Sequence, residues 1–423
     1  MREMKDSGVE WLGGIPNSWV VTRLKYVLDE PMKYGATESG VDYEDDLFRY
    51  IRITDITADG KLKEQGKLSL TYNQANGYIL RDNAILFARS GGTVGKSFIY
   101  RSTYGKAAFA GYLISAYADA TKVVPEWILY FTNCSAYWEW VNRIFTQATI
   151  QNIGADKYSN MPIPIAPLPV QNAIVRIMDT KCAEIDALAA DIQSQIDTLE
   201  QYKRSVITEA VTKGLNPDAE MRDSGIPWIG EMPAHWECIR GKYLLKYLQK
   251  SVRDDDGVIT CFRDGEVTLR SNRREDGFTM ADKEIGYQGV DIGDLVVHGM
   301  DGFAGAIGIS NSRGKASPVL NVLTTEQNKR YIMYFLRSMA YSDIFLALAT
   351  GIRVRSCDLR WNKLSELFYP VPPLEEQQAI VAHIDDVIEK ANVIIAGKKQ
   401  QMEVLSEYKK SLIFEYVTGK KEV

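Results

Sequence analysis

The chain has 423 residues, 45% hydrophobic and 25% charged, with a formal net charge of −5, an ordinary composition for a globular protein of two to four domains. It holds no apolar run of about 18 residues, so no membrane span is expected. Five scattered cysteines and three histidines argue against a disulfide scaffold or a zinc site, and the charged N-terminus against a secretory signal, so a cytoplasmic setting is expected.

Taken in chain order, the elements repeat. Residues 6–19, DSGVEWLGGIPNSW, return at 223–236 as DSGIPWIGEMPAHW, identical at seven of 14 positions at an offset of 217. Residues 48–53 and 84–88 read as strands, as do 292–297 and 306–309. The second of these runs into a glycine-bearing loop, AILFARSGGTVGK (84–96), echoed by DLVVHGMDGFAGA (294–306) at offset 210. Residues 125–145, with Pro125 in the first turn, and 325–349 read as helices that correspond at offset 204. PLPVQNAIV (167–175) returns as PLEEQQAIV (373–381) at offset 206, and that offset holds without a gap to Val211/Val417. The chain is therefore two copies of one plan. The expected layout is a globular domain at 1–165, a central helix at 166–214, a second globular domain at 215–370 and a C-terminal helix at 371–423. The mixture of strands and helices is of the α+β class.

The two helical segments carry a heptad signal. Ile185, Leu188, Ile192, Leu199, Tyr202 and Val206 fall on a and d positions of one frame, with Gln195 on the remaining d. The C-terminal segment repeats the frame with Ile394, Leu405, Tyr408 and Leu412, weakened by Lys398 and Gln401. Pro169 and Gly214 mark start and stop. The helices are expected to pack on each other as a coiled coil. One leaves the first domain and the other leaves the second, so pairing along their length makes them antiparallel. Each of about 44 residues spans roughly 66 Å, which predicts a rod with a domain at each end and a pseudo-two-fold axis.

Several motifs invite an enzymatic reading and fail. Gly91–Ser97 resembles a P-loop but is one residue short, since Ser90 stands where the first glycine is needed. Asp254, Asp255 and Asp256 read as a solvated loop. No nucleophile–base–acid set, dinucleotide fingerprint or amino-methyltransferase tetrapeptide is present, so neither an NTPase nor a self-contained methyltransferase is favoured. The charge distribution suggests DNA instead. Segments 170–214 and 374–423 each carry two more acids than bases, while the remainder holds 38 bases against 39 acids. Basic residues lie on or beside loops that follow strands, where glycines permit close approach. In the first domain these are Lys33, Arg49, Arg52, Arg81, Arg89 and Lys96. In the second, Arg313, Lys315, Lys329 and Arg330 form one cluster, and Arg353, Arg355, Arg360 and Lys363 another. The candidate DNA contacts are Arg52, Arg89, Ser90, Gly92, Thr93 and Lys96 in the first domain. In the second they are Arg263, Arg273, His298, Asp301, Gly302, Arg353 and Arg355. Two similar domains with different loop residues suit two different short sequences. The competing reading is a coiled-coil scaffold with two protein-binding domains and no DNA.

These motifs together (the repeated DSG…W opening, the strand-loops ILFARSGGTVGKS and VVHGMDGFAGAIG, and the helix start VPPLEEQQAIV) resemble the specificity subunits of type I restriction-modification systems. The resemblance spans essentially the whole chain. At the first helix start, APLPVQNAIV, Val170 replaces the acid and Gln171 alone survives. The resemblance implies two target recognition domains, each reading half of a bipartite double-stranded DNA site. It implies paired helices that set the spacing and dock two methyltransferase subunits. It implies no catalysis, cofactor or metal on this chain. S-adenosylmethionine would sit on the methyltransferase subunits, and ATP and Mg on endonuclease/translocase partners where those join.

Overall fold

The computed structural model describes residues 3–57, 60–146, 151–273, 284–348 and 359–423. The chain forms two compact units: Met1–Ile192 with Gln400–Val423, and Gln193–Lys399. Each unit thus holds one globular domain and parts of both long helices.

In the first unit the opening motif is turn chemistry. Asp6 Oδ1 accepts from Gly8 N (3.0 Å) and Ser7 Oγ from Val9 N (3.1 Å). Gly8 and Gly13 adopt φ of 72° and 63°, which only glycine takes without strain. The turn joins strands Met4–Asp6 and Gly14–Pro16 and delivers Trp19 to the core, edge-on to Trp127 at 5.3 Å. The second unit repeats this at Asp223, Ser224, Gly225 and Gly230, with Trp236 in the core. The identities between the two copies are therefore the residues that make the turn and anchor it.

A four-stranded antiparallel sheet follows, in the order Lys33–Tyr34, Leu113–Ala116, Ile85–Ala88, Ser97–Ile99. Ile85–Ala88 is buried along its whole length, which explains its unbroken apolar sequence. Helices Pro125–Thr132 and Ser135–Thr146 cover one face. A second sheet, Ala107–Phe109, Phe48–Ile51, Leu68–Leu70 and Val41–Asp42, includes one parallel pair. Strand Pro162–Ile165 pairs with Val20–Arg23 and leads into the first long helix, Leu168–Lys213.

The second unit copies the first sheet as Lys246–Tyr247, Leu320–Thr324, Leu295–His298, Ile307–Ile309. Helix Lys329–Tyr341 covers it, and Phe368–Val371 paired with Glu237–Arg240 leads into the second long helix, Leu374–Val417. Where the first domain has its second sheet, this one has two antiparallel pairs, the hairpin Ile259–Cys261 with Val267–Leu269 and the longer-range pair Gln288–Val290 with Gly314–Ala316.

The long helices pair antiparallel within each unit. In the first, Lys409 Nζ donates to Asp186 Oδ1 (2.6 Å) and Ile185 shares a core with Leu412 and Tyr416. In the second, Lys203 Nζ donates to Asn392 Oδ1 (2.8 Å) and Lys398 donates to Gln195. Lys203 and Asn392 correspond to Lys409 and Asp186 at offset 206, so the contacts themselves repeat.

The seam differs from the heptad frame expected. The inward residues are Cys182, Ile185, Ala189, Ile192, Ile196, Leu199 and Lys203, and at offset 206 Ile388, Ala391, Ile395, Lys398, Met402, Leu405 and Lys409. From Ile185 the spacing is four then three, not three then four. Leu188, Tyr202, Ile394 and Tyr408 are instead 48%, 52%, 49% and 52% exposed, and Gln195 and Gln401 face outward. A small residue (Ala189) and the stems of lysines fill the seam, where packing needs shape and not size. Large side chains were the misleading signal.

Candidate nucleic-acid interface

Most of the basic residues picked from sequence already have partners. Arg49 is buried and donates to Lys63 O beside Glu64. Arg52 grips Asp55 with Nε (3.0 Å) and a terminal nitrogen (2.7 Å), and reaches Gly66 O at 2.8 Å. Its role in the fold is to close the turn after Phe48–Ile51. Lys33 and Arg81 share Glu30 at 2.6 and 2.7 Å, an exposed arrangement that binds them weakly. Arg89 and Lys96 remain, both on the glycine loop, and neither has a carboxylate partner among the described residues.

That loop is tightly built. Gly91 takes φ of 79° and Gly95 φ of 89°. A Cβ on Gly95 would stand 3.0 Å from the Trp138 ring, so helix Ser135–Thr146 requires glycine there. Val94 is buried, while Gly91, Gly92 and Lys96 are exposed and Ser90 and Thr93 half-buried. The amides of Val94, Gly95 and Lys96 donate to Gly91, Ala88 and Thr93 carbonyls at 3.1, 3.0 and 3.0 Å. They cannot cradle a phosphate, and a strand follows instead of a helix, which removes the physical basis of a P-loop. Arg89 lies over Tyr34 with Cζ 4.8 Å from the ring centroid. Its Nε is buried without a hydrogen-bond partner among the described residues. Ser90 bridges to Asn152.

The second domain builds its loop differently. His298 Nδ1 accepts from Met300 N (3.2 Å) and Asp301 N (3.0 Å), and its second nitrogen lies 3.8 Å from the Asp301 carboxylate. Burial holds this imidazole below its ordinary pKa. Asp301 accepts from Arg263 at 2.8 Å. Arg263, His298, Asp301 and Gly302 are thus brought together, with charge nearly balanced where the first loop is cationic. Gly302 is a packing residue: it is buried, and a Cβ would stand 2.7 Å from Leu359 Cδ1. Arg273 stacks on Phe262 at 4.2 Å and bonds Asp264 and Glu266, on the hairpin beside Arg263. Arg353 and Arg355 lie outside the described residues.

The cluster 311–330 is structural. Arg313 bonds Asp256 (2.8 Å) and Asp291 (2.6 Å), Lys315 bonds Glu284, Lys329 donates to Gly293 O, and Arg330 bonds Asp385. Asp256 is therefore no solvated loop residue: it is buried, and the Arg313 guanidinium holds its carboxyl below the usual range. Sequence reading missed the aromatic residues around the loops. Tyr34, 43% exposed, and Tyr112, 64% exposed, flank Arg89. The sign of Tyr34 in the sequence was its recurrence as Lys246–Tyr247. Among the described residues no group of His, Cys, Asp or Glu is arranged to hold a metal, and no helix is long and apolar enough to cross a membrane.

Comparison with known proteins places this arrangement. Residues 16–198 match the type I restriction modification DNA specificity domain. The type I restriction enzyme MjaVIII specificity subunit of Methanocaldococcus jannaschii is 23% identical over 81% of this chain and 80% of its own. The StySPI specificity subunit of Salmonella potsdam is 22% identical over 90% and 84%. A chain from a structure of the type I R-M system, described for its complex assembly and conformational transition, shares the fold. It has a TM-score of 0.67 at 15% identity and covers 96% of this chain and 99% of that one. With one such domain matched directly, a second that repeats its turns, sheet and loop, and relatives aligned over most of their length, the chain is similar in sequence and in fold to type I restriction-modification specificity subunits.

Proposed function

We propose that this chain gives a type I restriction-modification complex its DNA sequence specificity, each globular domain reading one half of a bipartite site. The observation that carries this reading is the repeat itself. One backbone plan presents a cationic loop, Arg89 to Lys96, in the first domain and a balanced one, His298 to Asp301, in the second. Equal scaffolds with unequal surface chemistry are what two readers of different sequences need.

The paired helices fix the gap between the half-sites and carry the partners. Leu188 with Tyr408 in the first unit, and Ile394 with Tyr202 in the second, are equivalent exposed apolar residues at offset 206, and Val393 and Val404 add to the exposed apolar surface of the second helix. Two copies of a methyltransferase subunit would each take one pair. S-adenosylmethionine belongs to those subunits, ATP and Mg to an endonuclease/translocase partner, and chemistry to both; this chain supplies recognition, in the cytoplasm. The test is to co-express it with its methyltransferase subunit and map modified adenines across the genome. A split motif with a fixed gap is expected. Soluble partners that bind each other yet leave no new modified site would favour a scaffold.

A further inference from the structure

Under the two loops the repeat keeps one scaffold position and changes what stands on it. Arg89 N donates to Tyr112 O (3.0 Å), and Arg89 O accepts from Ile153 N (2.9 Å). Gly299 N donates to Val319 O (2.7 Å), and Gly299 O accepts from Leu359 N (2.8 Å). Residues 89 and 299 are thus the same position, held by the same two hydrogen bonds. Gly299 has no side chain, and the place of its missing Cβ lies 3.5 Å from Arg360 Cγ. An arginine covers this position in both domains, from the strand end in one and from the turn before helix Trp361–Leu364 in the other.

The neighbouring aromatic residues follow the same rule. Tyr34 and Tyr247 each end a two-residue edge strand, paired with Ile114 and Leu323. Arg89 stacks on Tyr34, whose hydroxyl accepts from Ala155 N at 2.9 Å. Tyr247 stacks on Trp361, next to Arg360, with centroids 5.9 Å apart. Trp361 in turn occupies the place of Ala155 at offset 206.

Arg89 also differs from the other arginines of its domain. Arg23, Arg49, Arg52, Arg81, Arg101 and Arg143 all bond protein oxygens through their side chains. Arg89 has no side-chain hydrogen bond among the described residues, and its Nε is already shut off from water. A desolvated donor without an acceptor is costly. Stacking on Tyr34 fixes the guanidinium plane and leaves the two terminal nitrogens to meet a ligand as a fork. That fork matches the O6 and N7 acceptors on the major-groove edge of guanine.

We infer that Tyr34–Arg89 and its counterpart Tyr247–Trp361 with Arg360 are the specificity-determining base contacts of the two half-sites, and that Arg89 takes a guanine. This rests on the DNA-reading function proposed above. The test uses the full chain with its methyltransferase subunit, first on genomic DNA and then on duplexes carrying the mapped motif. Arg89→Ala relaxes one guanine of one half-site and slows methylation of the motif roughly 10- to 100-fold, leaving the other half-site unchanged. Arg360→Ala relaxes only that other half. Replacing the guanine by 7-deazaguanine slows the wild type but not Arg89→Ala. Arg89→Lys keeps the charge without the fork and behaves like Arg89→Ala, while Tyr34→Phe keeps the ring and retains the motif. An unchanged motif at wild-type rate in Arg89→Ala, or full rescue by Arg89→Lys, would overturn the base contact while leaving the DNA-reading function intact. A wild-type complex that bound and methylated no split motif would overturn both.

Discussion

At the scale of single residues, two buried glutamines explain why the helix-start motif tolerates change at one position and not the next. Gln171 Oε1 accepts from Val124 N (3.0 Å), and its Nε2 donates to Lys122 O (2.9 Å) and Ala166 O (2.8 Å). Gln377 does the same with Asn328 N (3.0 Å), Pro372 O (2.8 Å) and Gln327 Oε1 (2.7 Å). Each ties the first turn of a long helix to the start of a helix in its globular domain. Glu376 only receives the Trp236 indole (3.0 Å) and His235 (2.8 Å) at a more open place, so Val170 can stand at its counterpart. Gln377→Leu should cost the second unit about 2–4 kcal/mol by orphaning buried groups, visible as a lowered melting transition; a change under roughly 0.5 kcal/mol would mean solvent reaches them. His298 gives a pH signature. Its folded pKa is depressed by burial, so its contribution is intact above the unfolded value near about 6.5 and is lost as pH falls through the folded one. Wild type should therefore lose stability below about pH 6 relative to His298→Asn, compared by melting across a pH series. Parallel curves would show that the imidazole stays solvated.

At the scale of elements, legibility followed how local the cause was. The strand Ile85–Ala88 and the helix starts were readable because backbone conformation and burial act within a few residues. The heptad frame was readable in period but not in phase. Leu188 and Tyr202 outweighed Ala189 and Ile196 by bulk, although only the facing helix decides which stripe turns inward. The cationic clusters failed for the same reason. Nothing near Arg313 in sequence reveals Asp256, 57 residues earlier, as its partner. The phase error has a functional corollary, since the large residues it placed in the seam are exposed. Leu188→Asp with Tyr408→Ser should leave the helix pair folded by circular dichroism, because neither side chain fills the seam. If the proposed two methyltransferase subunits dock there, it should lower the number bound per chain from two to one, read by mass photometry. Two bound subunits would show that docking lies elsewhere.

At the scale of the whole molecule, a net charge of −5 must be reconciled with a polyanionic ligand. The reconciliation lies in where cations are spent. Arg49, Arg52, Arg313, Lys315 and Arg330 are neutralised by carboxylates of the fold itself, so they add nothing to the field at the DNA face. The excess acid of the helical segments lies where partner subunits are proposed to bind. Affinity for phosphates should then come from few groups, with Lys96 foremost in the first domain. Each phosphate contact releases counterions, so the slope of log K against log salt counts those contacts. Lys96→Ala should flatten that slope by about one unit and weaken matched and mismatched duplexes alike. Arg52→Ala should leave the slope unchanged and lower the melting temperature, because Asp55 already holds its charge. Measured by fluorescence anisotropy of the complex from low to moderate salt, the reverse pattern would place the phosphate track along Phe48–Asp55 instead of along the glycine loop.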